Sequence, residues 1–249
     1  MIDIEGKVGL VTGASSGLGE HIAQILAGHG ATVIGAARRA DRIARLAGSE
    51  PGRIVPLELD ITDRAAVREA IPRVAETYGW PEIVVNNAGG GVVKPALEHT
   101  DEDWDHALAV NLTGAWTVST VVADGLRHRG RPGTIVNVAS VAGLRPMVGR
   151  AAYGTSKAAL IHLTRQLALE WAPLGIRVNA ICPGHFPTEL TAGSLADERF
   201  RERVTRQIPL GRLGRLDDLT GLVLLLVSDA SAYLTGAVIP LDGGRSLRS

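Results

Sequence analysis

Val8-Gly9-Leu10-Val11-Thr12-Gly13-Ala14-Ser15-Ser16-Gly17-Leu18-Gly19 carries an apolar run into a helical pattern through a turn spaced by glycines. Val8–Thr12 reads as a strand buried on both faces, and the pattern from Gly17 to His29 reads as a helix. A turn of this kind sets backbone N–H groups and a helix N-terminus facing an anion such as a pyrophosphate. Its glycines allow the tight bend and the close approach, where a Cβ would intrude. The spacing Gly-x-x-x-Gly-x-Gly departs from the commoner Gly-x-Gly-x-x-Gly, so a glycine-rich turn with no ligand stays open as the alternative. Its position, directly after a strand and opening a helix, favours the anion-binding reading.

The rest of the chain repeats this alternation. Strands are expected at Val8–Thr12, Thr32–Ala36, Ile54–Leu59, Ile83–Asn86, Thr134–Ala139, Arg177–Ile181 and Ala237–Pro240. Helices are expected at Gly17–His29, Arg64–Tyr78, Glu102–Arg127, Ala152–Trp171 and Asp217–Val227. Alternating β and α elements imply parallel pairing with right-handed crossovers. The expected architecture is therefore an α/β single-domain Rossmann fold, a doubly wound parallel sheet of about seven strands with helices on both faces. No linker, repeat or low-complexity tract divides the chain, so residues 1–249 read as one domain. The stretch from about 185 to 214, His185 to Gly214, breaks the rhythm. It is read as a long irregular segment serving as a substrate-binding loop or lid.

Composition narrows the function. The 249 residues are 45% hydrophobic, and 26 basic residues balance 26 acidic ones. A zero formal charge argues against nucleic acid or a membrane surface as partner. Cys182 is the one cysteine, which leaves no internal disulfide and no Cys/His cluster with metal-ligand spacing, so no metal is expected. The start Met1-Ile2-Asp3-Ile4-Glu5 lacks signal-peptide character, and the apolar run Leu222 to Val227 is too short to span a bilayer. These features suggest a soluble protein of a reducing compartment, in the cytoplasm.

The second expected strand ends in Ala36-Ala37-Arg38-Arg39. An NAD-binding protein would place an acidic side chain there for the ribose 2′-hydroxyl, whereas Arg38 suits a 2′-phosphate. NADP(H) is expected over NAD(H), with two solvated arginines as the plain alternative. Later in the chain Ser140 closes the fifth expected strand, and Tyr153 precedes Lys157 at i, i+4 on a helix. That spacing puts phenol and ammonium on one helical face. Hydride transfer to a ketone leaves an oxygen that needs a proton. A tyrosine of ordinary pKa ~10 is a poor base for the reverse step, and a lysine cation nearby would favour its phenolate. Ser140 would hold the substrate oxygen, and Lys157 would also reach the cofactor ribose. A Tyr and a Lys four apart are common on helix surfaces; the joint pattern carries the reading.

With these motifs assembled, the chain resembles the short-chain dehydrogenases/reductases along essentially its whole length. The matching positions are Thr12-Gly13-x-x-x-Gly17-x-Gly19, Asn86-Asn87-Ala88-Gly89, Asn111, Ser140, Tyr153-x-x-x-Lys157, Pro183-Gly184 and Asp242-Gly243-Gly244. The resemblance implies a catalytic set of Asn111, Ser140, Tyr153 and Lys157, with Asn111 kinking its helix and holding a water next to Lys157. It implies cofactor contacts from Gly13, Ser15, Ser16, Gly17, Leu18, Gly19, Arg38, Arg39, Asp60, Ile61, Asn87, Ala88, Gly89, Tyr153 and Lys157. Pro183, Gly184, Phe186 and Thr188 would embrace the nicotinamide. It also implies a homo-oligomer, tetramer or dimer, joined through the long helices Glu102–Arg127 and Ala152–Trp171.

The substrate is expected to be a small carbonyl or alcohol compound. Candidate pocket residues are Gly91, Val92, Ala142, Leu144, Met147, Val148, His185, Phe186 and the lid from Leu190 to Leu195. Pro183–Leu190 is similar to gluconate 5-dehydrogenase-like members, while the whole chain is also similar to 3-oxoacyl thioester reductases. For the latter, Arg127, Arg129 and Arg131 are candidate contacts for an acidic carrier. An NAD-dependent sugar-acid or polyol dehydrogenase stays open beside these, as does, remotely, a non-catalytic dinucleotide-binding regulator.

Overall fold

The structure, a computed structural model, describes residues 2–48 and 53–248; Met1 and the last residue of the 1–249 domain lie outside the described residues. Seven strands form one sheet in the order β3-β2-β1-β4-β5-β6-β7, every neighbouring pair parallel. They are β1 (Val8–Thr12), β2 (Thr32–Ala37), β3 (Ile54–Glu58), β4 (Ile83–Asn86), β5 (Gly133–Val138), β6 (Ile176–Pro183) and β7 (Val238–Leu241). From β1 the chain winds outward to β3, then returns to lay β4 on the other side of β1. That reversal makes β1/β4 the switch point, beyond whose carboxyl ends a crevice opens.

Strand residues alternate between two cores. Leu10, Ile34, Val84, Ile135 and Val178 face one layer, and Val11, Val33, Val85, Val136 and Ile181 face the other. All ten are fully buried, each contributing about 1.5–3 kcal/mol relative to exposure. Helix α1 (Gly17–Gly28) and α10 (Thr220–Val227) cover one face. Helices α3 (Arg64–Tyr78), α5 (Ala115–His128) and α7 (Ala151–Trp171) cover the other. Local signals set the helix starts. Asp63 caps α3 by accepting from the N–H groups of Ala65 (2.9 Å) and Ala66 (3.0 Å), and Thr100 with Asp103 forms a reciprocal capping box at α4 (Asp101–Leu108).

Three differences from the sequence expectation have physical causes. The stretch expected as one helix from Glu102 to Arg127 is α4, a π-helical turn at Ala109–Gly114, and α5; a π turn inserts one extra residue and leaves helical periodicity nearly intact. Two short helices, α2 (Ala40–Ala47) and α6 (Val141–Leu144), were not expected. The segment 185–214 is not irregular throughout, since α8 (Glu189–Leu195) and α9 (Glu198–Arg206) occupy its middle. Asp197 caps α9 through the N–H groups of Arg199 and Phe200, but α9 is rich in arginine and glutamate and buries only Val204. So polar a helix leaves little apolar periodicity to read.

Candidate active site at the carboxyl edge of the sheet

The turn after β1 is fixed to its neighbours before any ligand is considered. The Gly13 N–H donates to Ala36 O (2.8 Å), tying it to β2. The Thr12 hydroxyl accepts from the N–H groups of Asn87 and Ala88, both at 3.1 Å, tying it to the end of β4. Asn87 Nδ2 donates back to Thr12 O (3.0 Å) and Gly13 O (3.2 Å). Gly13 (φ +66°) and Gly17 (φ +60°) take backbone conformations that side chains resist. Gly19 lies behind the turn rather than on its open face, and a Cβ there would overlap Asn87 Nδ2 and Gly13 O. Below, Asn86 Nδ2 donates to Ser119 Oγ and Asn137 Oδ1, both at 2.8 Å, joining β4, α5 and β5 in the buried centre.

A cleft of about 380 Å³ runs over this edge, within the size range of small-ligand sites. One end is walled by Ala37, Arg38, Arg39, Asp60 and Ile61, the middle by Gly13, Ser15, Ser16, Gly17 and Leu18 with Asn87, Ala88 and Gly89. The other end is walled by Ser140, Tyr153, Lys157, Pro183, Gly184, Phe186, Thr188 and Leu190. Asp60 and Ser140 lie just past the ends of β3 and β5 rather than within them, so both side chains are free to turn into the crevice. Although burial alone would raise it, the Asp60 carboxyl is held below its ordinary range by hydrogen bonds from the Thr62 N–H and hydroxyl and by the charge of Arg38. Thr191, from the expected lid, lines the cleft, as do His106 and Val110, which were not expected. His106 and Val110 carry no motif; His106 lies in α4 and Val110 in the π turn that follows it.

At the inner end Ser140 caps α6, its Oγ accepting from Ala142 N–H (3.1 Å). Lys157 is 3% exposed, and its Nζ donates to Val138 O (2.7 Å) and stands 5.9 Å from the Tyr153 ring centroid. Burial lowers the Lys157 pKa to about 8. For Tyr153, burial pushes the phenol above its ordinary value, while hydrogen bonding with Ser140 and the charge of Arg150 pull the other way. Desolvation is the larger influence on the phenol. Asn111 sits inside the π turn, buried, outside the cleft wall. Its side chain grips Gly90 from both sides, Oδ1 accepting from Gly90 N–H (3.0 Å) and Nδ2 donating to Gly90 O (2.8 Å) and Ser156 Oγ (2.9 Å). A Cβ on Gly89 would come within 2.7 Å of Asn111 Oδ1 and 3.0 Å of Lys157 Nζ.

Of the substrate candidates, Leu190 lines the cleft, and Gly91, Ala142, Met147 and His185 lie outside its walls. Gly91 backs onto Tyr153, where a Cβ would meet the tyrosine Cβ at 3.0 Å. Ala142 is buried within α6. Val92 and Val148 are solvent-exposed. His185 faces a separate cavity of about 130 Å³ bounded by Ile208, Leu210, Arg212 and Asp218. Burial, then the charges of Arg245 and Arg150, keeps its imidazole below the ordinary pKa. Thr188 does not stand apart from the phosphate turn, since a Cβ on Gly17 would meet its Cβ at 3.1 Å. Among the described residues no three His, Cys, Asp or Glu side chains gather as a metal site, and no helix is long and apolar enough to cross a membrane.

A doubly wound parallel sheet with a glycine-lined crevice at its switch point defines an α/β nucleotide-binding class of fold. Residues 13–246 match the family model described as enoyl-(acyl carrier protein) reductase. The chain is 39% identical over 246 residues to the 3-oxoacyl-[acyl-carrier-protein] reductase FabG of Thermotoga maritima, covering 97% of this chain and 98% of that one. It superposes with a TM-score of 0.92 at 37% identity on a short-chain type dehydrogenase/reductase from Mycobacterium marinum, covering 98% and 97% of the two chains. A gluconate 5-dehydrogenase from Burkholderia cenocepacia, solved with NADP and tartrate, gives a TM-score of 0.95 at 32% identity, with 100% and 98% coverage. The chain belongs to the short-chain dehydrogenases/reductases and is an oxidoreductase of that family.

Proposed function

We propose that the protein is an NADP(H)-dependent oxidoreductase interconverting a secondary alcohol and a ketone, with Tyr153 as general acid and base. The observation that carries this reading is the convergence of Ser140, Tyr153 and Lys157 on one end of a cleft whose far end holds Arg38. NADP(H), when bound, supplies or accepts the hydride. The cleft fits such a group: Gly13, Ser15, Ser16, Gly17 and Leu18 line its middle, and glycine at 13 lets the turn pack within 2.8 Å (would-be Cβ to Ala88 Cα) of the end of β4. Gly13–Leu18 would hold that pyrophosphate, Asp60 and Ile61 the adenine, and Arg38 with Arg39 the 2′-phosphate. No acidic side chain stands at the end of β2, which ends in Ala37, and this supports NADP(H) over NAD(H).

Tyr153, held neutral by burial, is in the form that donates a proton to a substrate oxygen. Ser140 would orient that oxygen, sharing hydrogen bonding with the phenol. Lys157 stabilises the phenolate left behind, because a cation in a dry site acts strongly on a nearby anion. Asn111 is a positioning residue in this scheme, holding Gly90 and hence the Gly89 wall against Lys157. Pro183, Gly184 and Phe186 would enclose the nicotinamide.

A carboxylate-bearing substrate is favoured over an acyl carrier. The Arg150 guanidinium stands 5.4 Å from the Tyr153 ring centroid and has no carboxylate partner among the described residues. The arginines suggested for an acidic carrier are already engaged: Arg127 with Asp124, Arg129 on the Trp80 ring and Arg131 with Glu82. Assembly as a homotetramer or dimer in the cytoplasm belongs to the same proposal, supported by Trp116 on α5 and Leu169 on α7, exposed by 41% and 76%. The test is NADPH-dependent turnover of 5-ketogluconate against an acetoacetyl thioester by the parent and by Tyr153→Phe. The proposal expects turnover of the keto acid and a loss of about 10²–10⁴-fold in the variant. Full activity in Tyr153→Phe would sink it.

A further inference from the structure

The lid and the phosphate end of the cleft are tied together by one carboxylate. Glu189, the first residue of α8, accepts from Arg39 Nη2 at 3.0 Å through Oε2 and from Arg42 Nη1 through Oε1. The same Arg39 nitrogen reaches the hydroxyls of Ser16 (3.2 Å) and Ser15 (3.5 Å) in the phosphate turn. The contact therefore crosses the mouth of the cleft, joining α8 on one bank to the start of α2 and the turn after β1 on the other. Beside it Thr188 packs against Gly17. Arg39 adjoins Arg38, where β2 hands over to α2, Arg42 lies in the first turn of α2, and Arg39 and Glu189 both line the cleft.

A carboxylate and a phosphate monoester present the same chemistry to a guanidinium fork, two or three anionic oxygens in hydrogen-bond reach. We propose that Glu189 is an intramolecular competitor for the 2′-phosphate site, so that it sets cofactor specificity and couples it to the lid. A 2′-phosphorylated dinucleotide has to displace Glu189 from Arg39, which leaves α8 held by Arg42 alone and loosens the latch. A dinucleotide lacking that phosphate leaves the latch closed. Glu189 thus tempers a preference that Arg38 and Arg39 would otherwise make stronger. The arginines hold the Glu189 carboxyl down to about 2, Arg42 first and then Arg39, so it stays ionised over any working pH and the latch responds to phosphate and salt rather than to protons. The inference rests on the dinucleotide reading of the cleft.

Fluorescence titration of the parent and of Glu189→Gln with NADPH, NADH and adenosine 2′,5′-bisphosphate tests it, alongside trypsin digestion of both proteins without ligand. Glu189 is half-exposed, and glutamine keeps its size. The expected result is NADPH and the bisphosphate binding about 3- to 10-fold tighter to the variant, the scale of two exposed ion pairs, with NADH changed less than about twofold. Trypsin should also cut the arginines of α9 faster in the variant. Weaker NADPH binding, or an equal change for NADPH and NADH, overturns the competition, because Glu189 would then be clasping any dinucleotide. If the parent binds both dinucleotides and the variant matches it in every titration, the latch fails while the dinucleotide reading stands. A parent that binds neither dinucleotide overturns both.

Discussion

Two glycines of the same helix should answer the same substitution with opposite signs. Gly19 lies in the first turn of α1, where a Cβ would overlap both the Asn87 side-chain amide and Gly13 O. The methyl of Gly19→Ala would enter between that amide and the two carbonyls it bonds, Thr12 O and Gly13 O. Overpacking against backbone costs about 1–3 kcal/mol, and two weakened hydrogen bonds add about 1 kcal/mol each. Helix propensity returns at most ~1 kcal/mol, so the clash wins and a net loss of about 2–4 kcal/mol is expected. At about 2–4 °C per kcal/mol for a chain of this size, Tm should fall by roughly 5–15 °C. Gly28, the last residue of α1, is exposed with nothing within 4 Å of its would-be Cβ. There Gly28→Ala should raise Tm by about 1–3 °C. Circular dichroism melts of the three proteins side by side, with an NADPH titration of each, make the comparison. A Gly19→Ala protein that melts with the parent would refute the packing argument for the turn, and so the claim that its shape is fixed before ligand binds.

Arg38→Asp should reverse the coenzyme preference by lowering NADPH affinity at least about 10-fold, the loss of one charge-assisted contact plus a repulsion; titrations that keep the parental preference would remove Arg38 from the 2′-phosphate site. Lys157 gives a pH signature. Its folded pKa of about 8 lies below the ordinary lysine value of 10.5, so between those values the unfolded chain holds a proton the folded protein has released. Stability should therefore rise with pH across that window, recovering up to about 3 kcal/mol. Lys157→Met should remove that rise and melt higher than the parent at pH 7 while losing turnover; a denaturant series with the parental slope intact would contradict the assignment. Asn111→Ala should cost about 2–4 kcal/mol, since it strands both backbone groups of Gly90 and opens a small void. It should also lower kcat more than it weakens NADPH binding, and a variant with normal kcat would demote Asn111 to a structural role.

The sheet was legible because its signals are local. β1 and β4 occur over the residues that the apolar runs mark, and the others shift by no more than two residues at either end. The turn after β1 was readable from its glycines, whose positive φ at Gly13 and Gly17 no side chain would tolerate cheaply. What escaped depends on contacts far apart in sequence. Nothing near Glu189 announces that it pairs with Arg39 and Arg42, and a carboxylate opening a helix looks like ordinary macrodipole compensation. The Tyr153 phenol shows the same limit. The i, i+4 lysine is visible in the sequence, but the burial that raises the phenol comes from the walls of the cleft. His185 looked like a pocket residue by its place after Pro183-Gly184, yet the turn of the chain there sends it to the smaller cavity.

In the proposed reaction Tyr153 would protonate a carbonyl oxygen while the nicotinamide cofactor supplied hydride to its carbon. Reduction of 5-ketogluconate with NADPH deuterated at C4, in each stereochemical form, tests it most directly. Deuterium is expected on the product's carbinol carbon from one of the two forms. The rate is expected to fall about 10²–10⁴-fold in Tyr153→Phe with NADPH affinity unchanged. Product without deuterium from either form, or Tyr153→Phe turning over at the parental rate, would contradict it.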